Sequence, residues 1–235
     1  MKKTVSGLML FLLFVSTLTI AFNIHPVKPD YVWSQTIYIR ANGSIEPSGA
    51  PISTVNNVTY TLTDNIVGNV PSYTSAIVIE RDNIVLDGNG FAVQGKEEYK
   101  SVGISLYSLS NVTIANVTVK DFYYGIKLNE TTSITILKSA LNNTMDNIWG
   151  YNTYETIISG NYMTGGHTGF YFVFSFSDTI SGNNITGNTY AGIELTNAYN
   201  TTISENSISK IWIPHLMVTV SSCTVQQTAK FTGTT

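Results

Sequence analysis

A period of 22 residues, held from Gly103 to Ile208, constrains this chain more than any other feature of its sequence. Four isoleucine-centred phrases mark it: Asn111-Val-Thr-Ile114, Ser133-Ile-Thr-Ile136, Glu155-Thr-Ile-Ile158 and Ser177-Asp-Thr-Ile180. A fifth, Asn200-Thr-Thr-Ile203, follows one residue late. Ten residues before each landmark stands another apolar residue, in turn Ile104, Ile126, Ile148, Phe170 and Ile193. Two further on come Leu106, Leu128, Gly150, Phe172 and Leu195, and five past the landmark lie Val119, Leu141, Met163, Ile185 and Ile208.

A unit this short cannot hold a paired-helix repeat, which needs more than about 30 residues. Within each unit apolar and polar residues alternate, as in Gly125-Ile-Lys-Leu128 and Val112-Thr-Ile114, the pattern of strands with one buried face. Three short strands and three turns per unit predict a coil of a parallel β-helix. Such coils stack at about 4.8 Å, and only the stack buries the apolar face. A leucine-rich repeat shares the period, but its Leu-x-x-Leu-x-Leu signature is absent. The turns fit: Asn161, Asn183 and Asn206 share one column, and asparagine tolerates a left-handed backbone and bonds to its own kind up a ladder. Gly103, Gly125, Gly169 and Gly192 open the longest strand, with Asn147 once in their place, and Thr113, Thr135, Thr179 and Thr202 form an outer column interrupted by Ile157.

The phrases Ile180-Ser-Gly-Asn-Asn-Ile-Thr-Gly187 and Tyr190-Ala-Gly-Ile-Glu-Leu195 resemble the right-handed parallel β-helix repeats of NosD-like, pectin-lyase-like proteins. Ile77-Val-Ile-Glu-Arg-Asp-Asn-Ile-Val-Leu-Asp-Gly-Asn-Gly90 is similar to the opening coil of that group. The resemblance covers roughly residues 60 to 208. It implies an all-β, right-handed parallel β-helix, in line with the right-handed bias of parallel crossovers. It implies no single function, because this repeat serves enzymes, binders and structural proteins alike.

Composition narrows the partners. The formal charge is −3, charged residues are 11 % of the chain and only Arg40 and Arg81 are arginines, which argues against nucleic acid. The 22 asparagines give a surface of amides and hydroxyls. Eight Asn-x-Ser/Thr sequons occur, at Asn42, Asn57, Asn111, Asn116, Asn129, Asn142, Asn184 and Asn200, and would accept glycans in an exported chain. One cysteine, Cys223, precludes an internal disulfide framework. Residues 1–22 read as a signal peptide, with Lys2 and Lys3 before an apolar run from about Leu8 to Phe22. The run is shorter than the ~20 residues of a membrane span; left uncleaved, it would anchor the chain to a membrane. The expected location is secreted or cell surface.

Residues 23–75 read as a linker followed by an N-terminal cap, in which Thr36-Ile-Tyr-Ile-Arg40 and Val58-Thr-Tyr-Thr-Leu62 are strands out of register with the repeat. The coils run over 76–208, stretched once by Lys96-Glu-Glu-Tyr-Lys100. Residues 209–235 read as a degraded or truncated final coil, with Cys223-Thr-Val225 one period after Thr201-Thr-Ile203. With no polar or helical C-terminal cap in view, the expectation is a piece of a longer solenoid, the alternative a second chain over the open end.

Function is sought on the outer face of the longest strand. One outward column runs Ser105, Lys127, Trp149, Tyr171, Glu194; its neighbour runs Tyr107, Asn129, Tyr151, Val173, Thr196. Tyr107, Lys127, Asn129, Trp149, Tyr151, Tyr171 and Glu194 are therefore the candidate carbohydrate-binding residues. Rings cover the C–H face of a sugar while polar neighbours bond its hydroxyls. The competing reading is that outer aromatics stack for the sake of the sheet. For catalysis the chain offers little: no registered column holds two acids, Glu155 and Asp178 fall one position out of column, and His167 sits alone in a turn. No catalytic residue is assigned. The expected function is a non-catalytic carbohydrate-binding or structural β-helix; the alternative is a polysaccharide-cleaving lyase or hydrolase. The NosD resemblance adds a third role, a periplasmic copper accessory, for which the soft and imidazole ligands available are His25, His167, His215, Met145, Met163, Met217 and Cys223. These form no convincing set, so no cofactor or metal is expected.

Overall fold

Period-two strands can bury one face only by stacking, and the computed structural model shows them stacked. It describes residues 31–143, 145–212, 218–221 and 224–231. Every regular element among these is a β-strand, joined in one continuous ladder that winds as a parallel β-solenoid. The leader, residues 23–30, His25, His215, Met217 and Cys223 lie outside the described residues. No helix among the described residues is long and apolar enough to cross a membrane.

The four predicted columns are the interior. On the long-strand wall Ile77, Ile104, Ile126, Ile148, Phe170 and Ile193 pair in sequence, as do Ile79, Leu106, Leu128, Gly150, Phe172 and Leu195. The second wall stacks Leu86, Ile114, Ile136, Ile158, Ile180 and Ile203, and the third Val93, Val119, Leu141, Met163, Ile185 and Ile208. These side chains, Gly150 aside, are no more than 2 % exposed. Volume is shared between coils: a Cβ on Gly150 would collide with the Phe172 ring, so the small residue makes room for the large one above it. The glycines that open the long strand have a different reason. A Cβ on Gly103, Gly125 or Gly169 would run into a backbone carbonyl of the next coil. Where Asn147 takes that position, its amide is buried, accepts from Asn143 Nδ2 at 3.1 Å and donates to the carbonyls of Thr164 and Gly165.

Parallel pairing begins upstream of Ala76, where the sequence reading starts the coils. Ile37–Ile39, Thr59–Leu62 and Ile66–Val67 already pair in parallel with the three strands of the coil that follows. Each has its other edge covered: Ile45–Glu46 runs antiparallel to the first, Ile52–Thr54 antiparallel to the second, and Tyr31–Val32 parallel to the third. The three covering strands cap that coil and satisfy backbone edges that would otherwise template further pairing. Polar ties fix the cap. Arg40 lies 3.8 Å over the Tyr38 ring and bridges Glu46 and Glu80, while Arg81 donates to the carbonyls of Ala41 and Asn57.

The turn asparagines form the expected ladder but do not supply the turn's left-handed backbone. Asn161, Asn183 and Asn206 do not carry the left-handed backbone; the residue before each does, giving the column Asn116, Lys138, Gly160, Gly182, Glu205. The asparagines instead point inward, at most 2 % exposed, and form an amide ladder. Asn183 Oδ1 accepts from the Asn161 backbone N–H at 2.9 Å and from Nδ2 at 3.0 Å, and Asn206 repeats this above Asn183. Each Nδ2 also donates to a carbonyl of the second wall, those of Ile136, Ile158 and Ile180. The final coil departs too: Thr201 pairs with Val225 and Ile203 with Gln227, two residues off the register expected from Cys223-Thr-Val225.

The opposite end of the second wall holds an acid where the ladder logic calls for an amide. Asp178 Oδ1 accepts the Thr156 N–H at 2.9 Å from the preceding coil, as the asparagines do. Its Oδ2 has no hydrogen-bond partner, and neither do the buried hydroxyls of Thr131, Thr153 and Thr201. Burial pushes the Asp178 carboxyl up to about 7, against the opposing pull of the Thr156 N–H. An unfolded aspartate titrates near ~3.9, so between the two values the folded chain holds the extra proton. Stability should therefore fall as pH rises from about 4 to 7 and level off above. Asp178→Asn supplies the missing donor; melts at pH 8 should show it more stable by about 1–3 kcal/mol, with a shallower pH dependence. In contrast, Ile136→Asp puts an unpaired charge in the core, and circular dichroism should show no cooperative β-rich fold.

Candidate functional site

Strand alternation turns Lys127, Trp149, Tyr171 and Glu194 outward from the long-strand wall in one paired column, with Tyr107, Asn129 and Tyr151 in the next. The rings do form a surface. Trp149 and Tyr151 are parallel, 9° between planes and 6.3 Å between centroids, and the Lys127 ammonium sits 5.0 Å over Trp149. Tyr151 meets the edge of Phe174 at 5.7 Å. Tyr107 is exposed beside Asn129, whereas Tyr171 and Glu194 are half-buried further up the column.

At the lower end the surface sinks into a pocket of about 350 Å³ lined by Tyr73, Ser75, Lys100, Val102, Ser105, Leu106, Tyr107, Tyr124, Lys127 and Asn129. Three of the sequence-selected residues, Tyr107, Lys127 and Asn129, line it; Trp149, Tyr151, Tyr171 and Glu194 do not. A chain of rings runs from the pocket rim onto the face: Tyr73, Tyr99, Tyr123, Tyr124 and Trp149, with successive centroids 4.8–6.0 Å apart. Tyr73, Tyr99, Lys100 and Tyr123 are not marked by the period because they precede the long strand, in turns of unequal length, and Tyr124 opens that strand ahead of the glycine column. Their signal was the tyrosine just ahead of successive long strands, at Tyr73, Tyr99 and Tyr123.

A second group lies close by. Asp146 pairs with Tyr124 on one side and Thr168 on the other and is 2 % exposed. Burial pushes its carboxyl up to about 7; the Thr168 hydroxyl bonds to it and opposes the shift, and the charge of Glu194 adds to it. Burial likewise raises Tyr124 to about 12, with Asp146 the next cause, and raises Glu194. His167 Nδ1 lies 3.1 Å from the Thr168 hydroxyl, and its ring stacks on Tyr190 at 4.7 Å. Burial lowers its pKa. The charge of Glu194 thus bears on Asp146 although the two stand in different columns, three strand positions and two coils apart. Column spacing does not reveal Asp146 in the sequence, because it is the one acid in its column.

The copper ligands suggested by the resemblance do not assemble among the described residues. Met163 is an interior column residue, Met145 offers its backbone carbonyl to the His167 and Thr168 N–H groups, and His167 is held by Tyr190 and Thr168. No group of three His, Cys, Asp or Glu residues that could hold a metal occurs among them.

Residues 67–223 match the family model described as periplasmic copper-binding protein (NosD). Curated protein sequences give no match. Among solved structures the chain is similar to the full-length tailspike protein 2 of Escherichia coli O157:H7 bacteriophage CAB120, with 16% identity over 74% of this chain and 33% of that one and a TM-score of 0.54. The enzymatically active domain of bacteriophage CBA120 tailspike protein 2 gives 14% identity, 74% and 36% coverage and a TM-score of 0.53. DFA-IIIase from Arthrobacter chlorophenolicus A6, in complex with DFA-III, gives 9% identity, 67% and 40% coverage and a TM-score of 0.49. At such identities the likeness is one of fold. The chain spans about a third of the length of the tailspike chains it matches.

Proposed function

The chain belongs to the NosD family of parallel β-helix proteins, and from that footing we propose that it is an exported solenoid that binds a carbohydrate chain along its long-strand face. The carrying observation is the Trp149–Tyr151 pair, two parallel rings presented outward on one strand, with Lys127 and Asn129 on the strand beneath. A sugar chain running across the coils would meet rings and hydrogen-bonding groups alternately, the composition that holds an amphipathic ring. The periplasmic description of the family and the apolar leader both support export.

A second reading, cleavage of the bound chain, is favoured by Asp146. A carboxyl that keeps its proton near neutrality is suited to protonate a leaving oxygen, and Glu194 supplies a second carboxylate in electrostatic reach of it. Hydrolysis would then add water across the glycosidic bond, with Asp146 giving its proton to the departing oxygen and Glu194 taking one from the water.

On a glycan array the folded chain should select a defined polysaccharide, and Trp149→Ala should weaken that binding several-fold while the circular dichroism spectrum stays unchanged. Unaltered affinity would remove the aromatic face from the site. With the selected polymer, reducing-end release should be seen for the parent chain and lost in Asp146→Asn and Glu194→Gln, both still binding. A parent chain that releases no reducing ends would leave the binding reading alone standing.

A further inference from the structure

We propose that the pocket between Lys100 and Lys127 is a subsite for an anionic sugar, one that carries a carboxylate or a sulfate. The inference rests on the carbohydrate reading of the same face and adds the chemical class of the ligand. Two ammonium groups line one pocket, and no Asp or Glu lines it with them. Among the described residues neither lysine makes an ion pair or a hydrogen bond. Lys127 instead lies over the Tyr124 and Trp149 rings, at 5.7 and 5.0 Å, and Lys100 over Tyr73 and Tyr99, at 5.4 and 5.3 Å.

Such ring contacts are attractive, but they leave the N–H donors of both ammonium groups unspent. They do not cancel the repulsion of two like charges brought to one pocket. Lys127 registers that repulsion: burial, and after it the charge of Lys100, lower its pKa. The contrast within the molecule is instructive. Arg40 is also laid against a tyrosine ring, yet two glutamates match its charge. An anion entering the pocket would accept hydrogen bonds from both lysines and relieve their repulsion. Tyr107 and Tyr124 would flank the sugar ring, with Ser75, Ser105 and Asn129 placed for its hydroxyls. The face rises from there over Trp149 and Tyr151, so the charged unit would sit at one end of the bound chain.

The test measures binding of the full chain to matched polymers: polygalacturonate against its methyl-esterified form, and dextran sulfate against dextran. One anionic member should bind at least about tenfold tighter than its neutral partner at low salt, and the gap should narrow towards ~0.5 M NaCl as charge is screened. Which pair shows the gap distinguishes carboxylate from sulfate. Lys127→Met and Lys100→Asn, the latter suited to a left-handed backbone position, should each cut the preference for the anionic member of the pair. Lys127→Arg should restore it, and Lys120→Met, on another wall of the helix, should have no effect. Equal affinity for charged and neutral polymers, or equal loss with Lys120→Met, would overturn the anionic subsite while the aromatic face kept its role. Binding to none of the four would overturn both.

Discussion

Hydrogen bonding from each coil to the next is the interaction on which the molecule depends. A single coil of short strands has a ring of apolar side chains with nothing to cover them and backbone groups with no partner. Stacking solves both at once, and it does so only in register. A one-residue slip in a period-two strand would exchange inside for outside. The interior therefore works as columns rather than as a conventional core, and each residue is judged by those directly above and below it. Gly150 beneath Phe172 illustrates the rule: two substitutions that would each look unfavourable alone fit together.

The same requirement makes the outer surface periodic. Because Ile126, Ile148 and Phe170 must face in, Lys127, Trp149 and Tyr171 must face out and lie one above another. A row of rings at the strand spacing follows without further design, and its lower end becomes a pocket where turns of unequal length lift Tyr73, Tyr99 and Lys100 beside the wall. Polar groups placed inside obey the column rule too. The asparagine ladder satisfies its amides through the coils above and below, whereas Asp178 occupies a comparable position with one carboxyl oxygen left without a partner. The consequence is a carboxyl that burial pushes well above the usual aspartate range.

Much of this was legible in the sequence, for a specific reason. The apolar columns and the outward residues Lys127, Asn129, Trp149 and Tyr151 follow from spacing alone, since a strict period converts sequence position directly into place. Legibility failed where the period failed. The strands Ile37–Ile39, Thr59–Leu62 and Ile66–Val67 form a coil whose turns are lengthened by capping strands, so no period betrays them. Gln227 opposite Ile203 shows the last coil pairing by backbone geometry rather than by side-chain likeness.

By itself the sequence determined the parallel β-helix and which residues line its inside and outside, because repetition and alternation are properties of the chain. Only the tertiary structure decided that Lys100 and Lys127 share a pocket, that the charge of Glu194 bears on a buried Asp146, and that the turn asparagines point inward. Those relations join different coils through turns of unequal length. Charge, burial and hydrogen bonding act through space, and the distance between two such groups exists only once the coils have stacked.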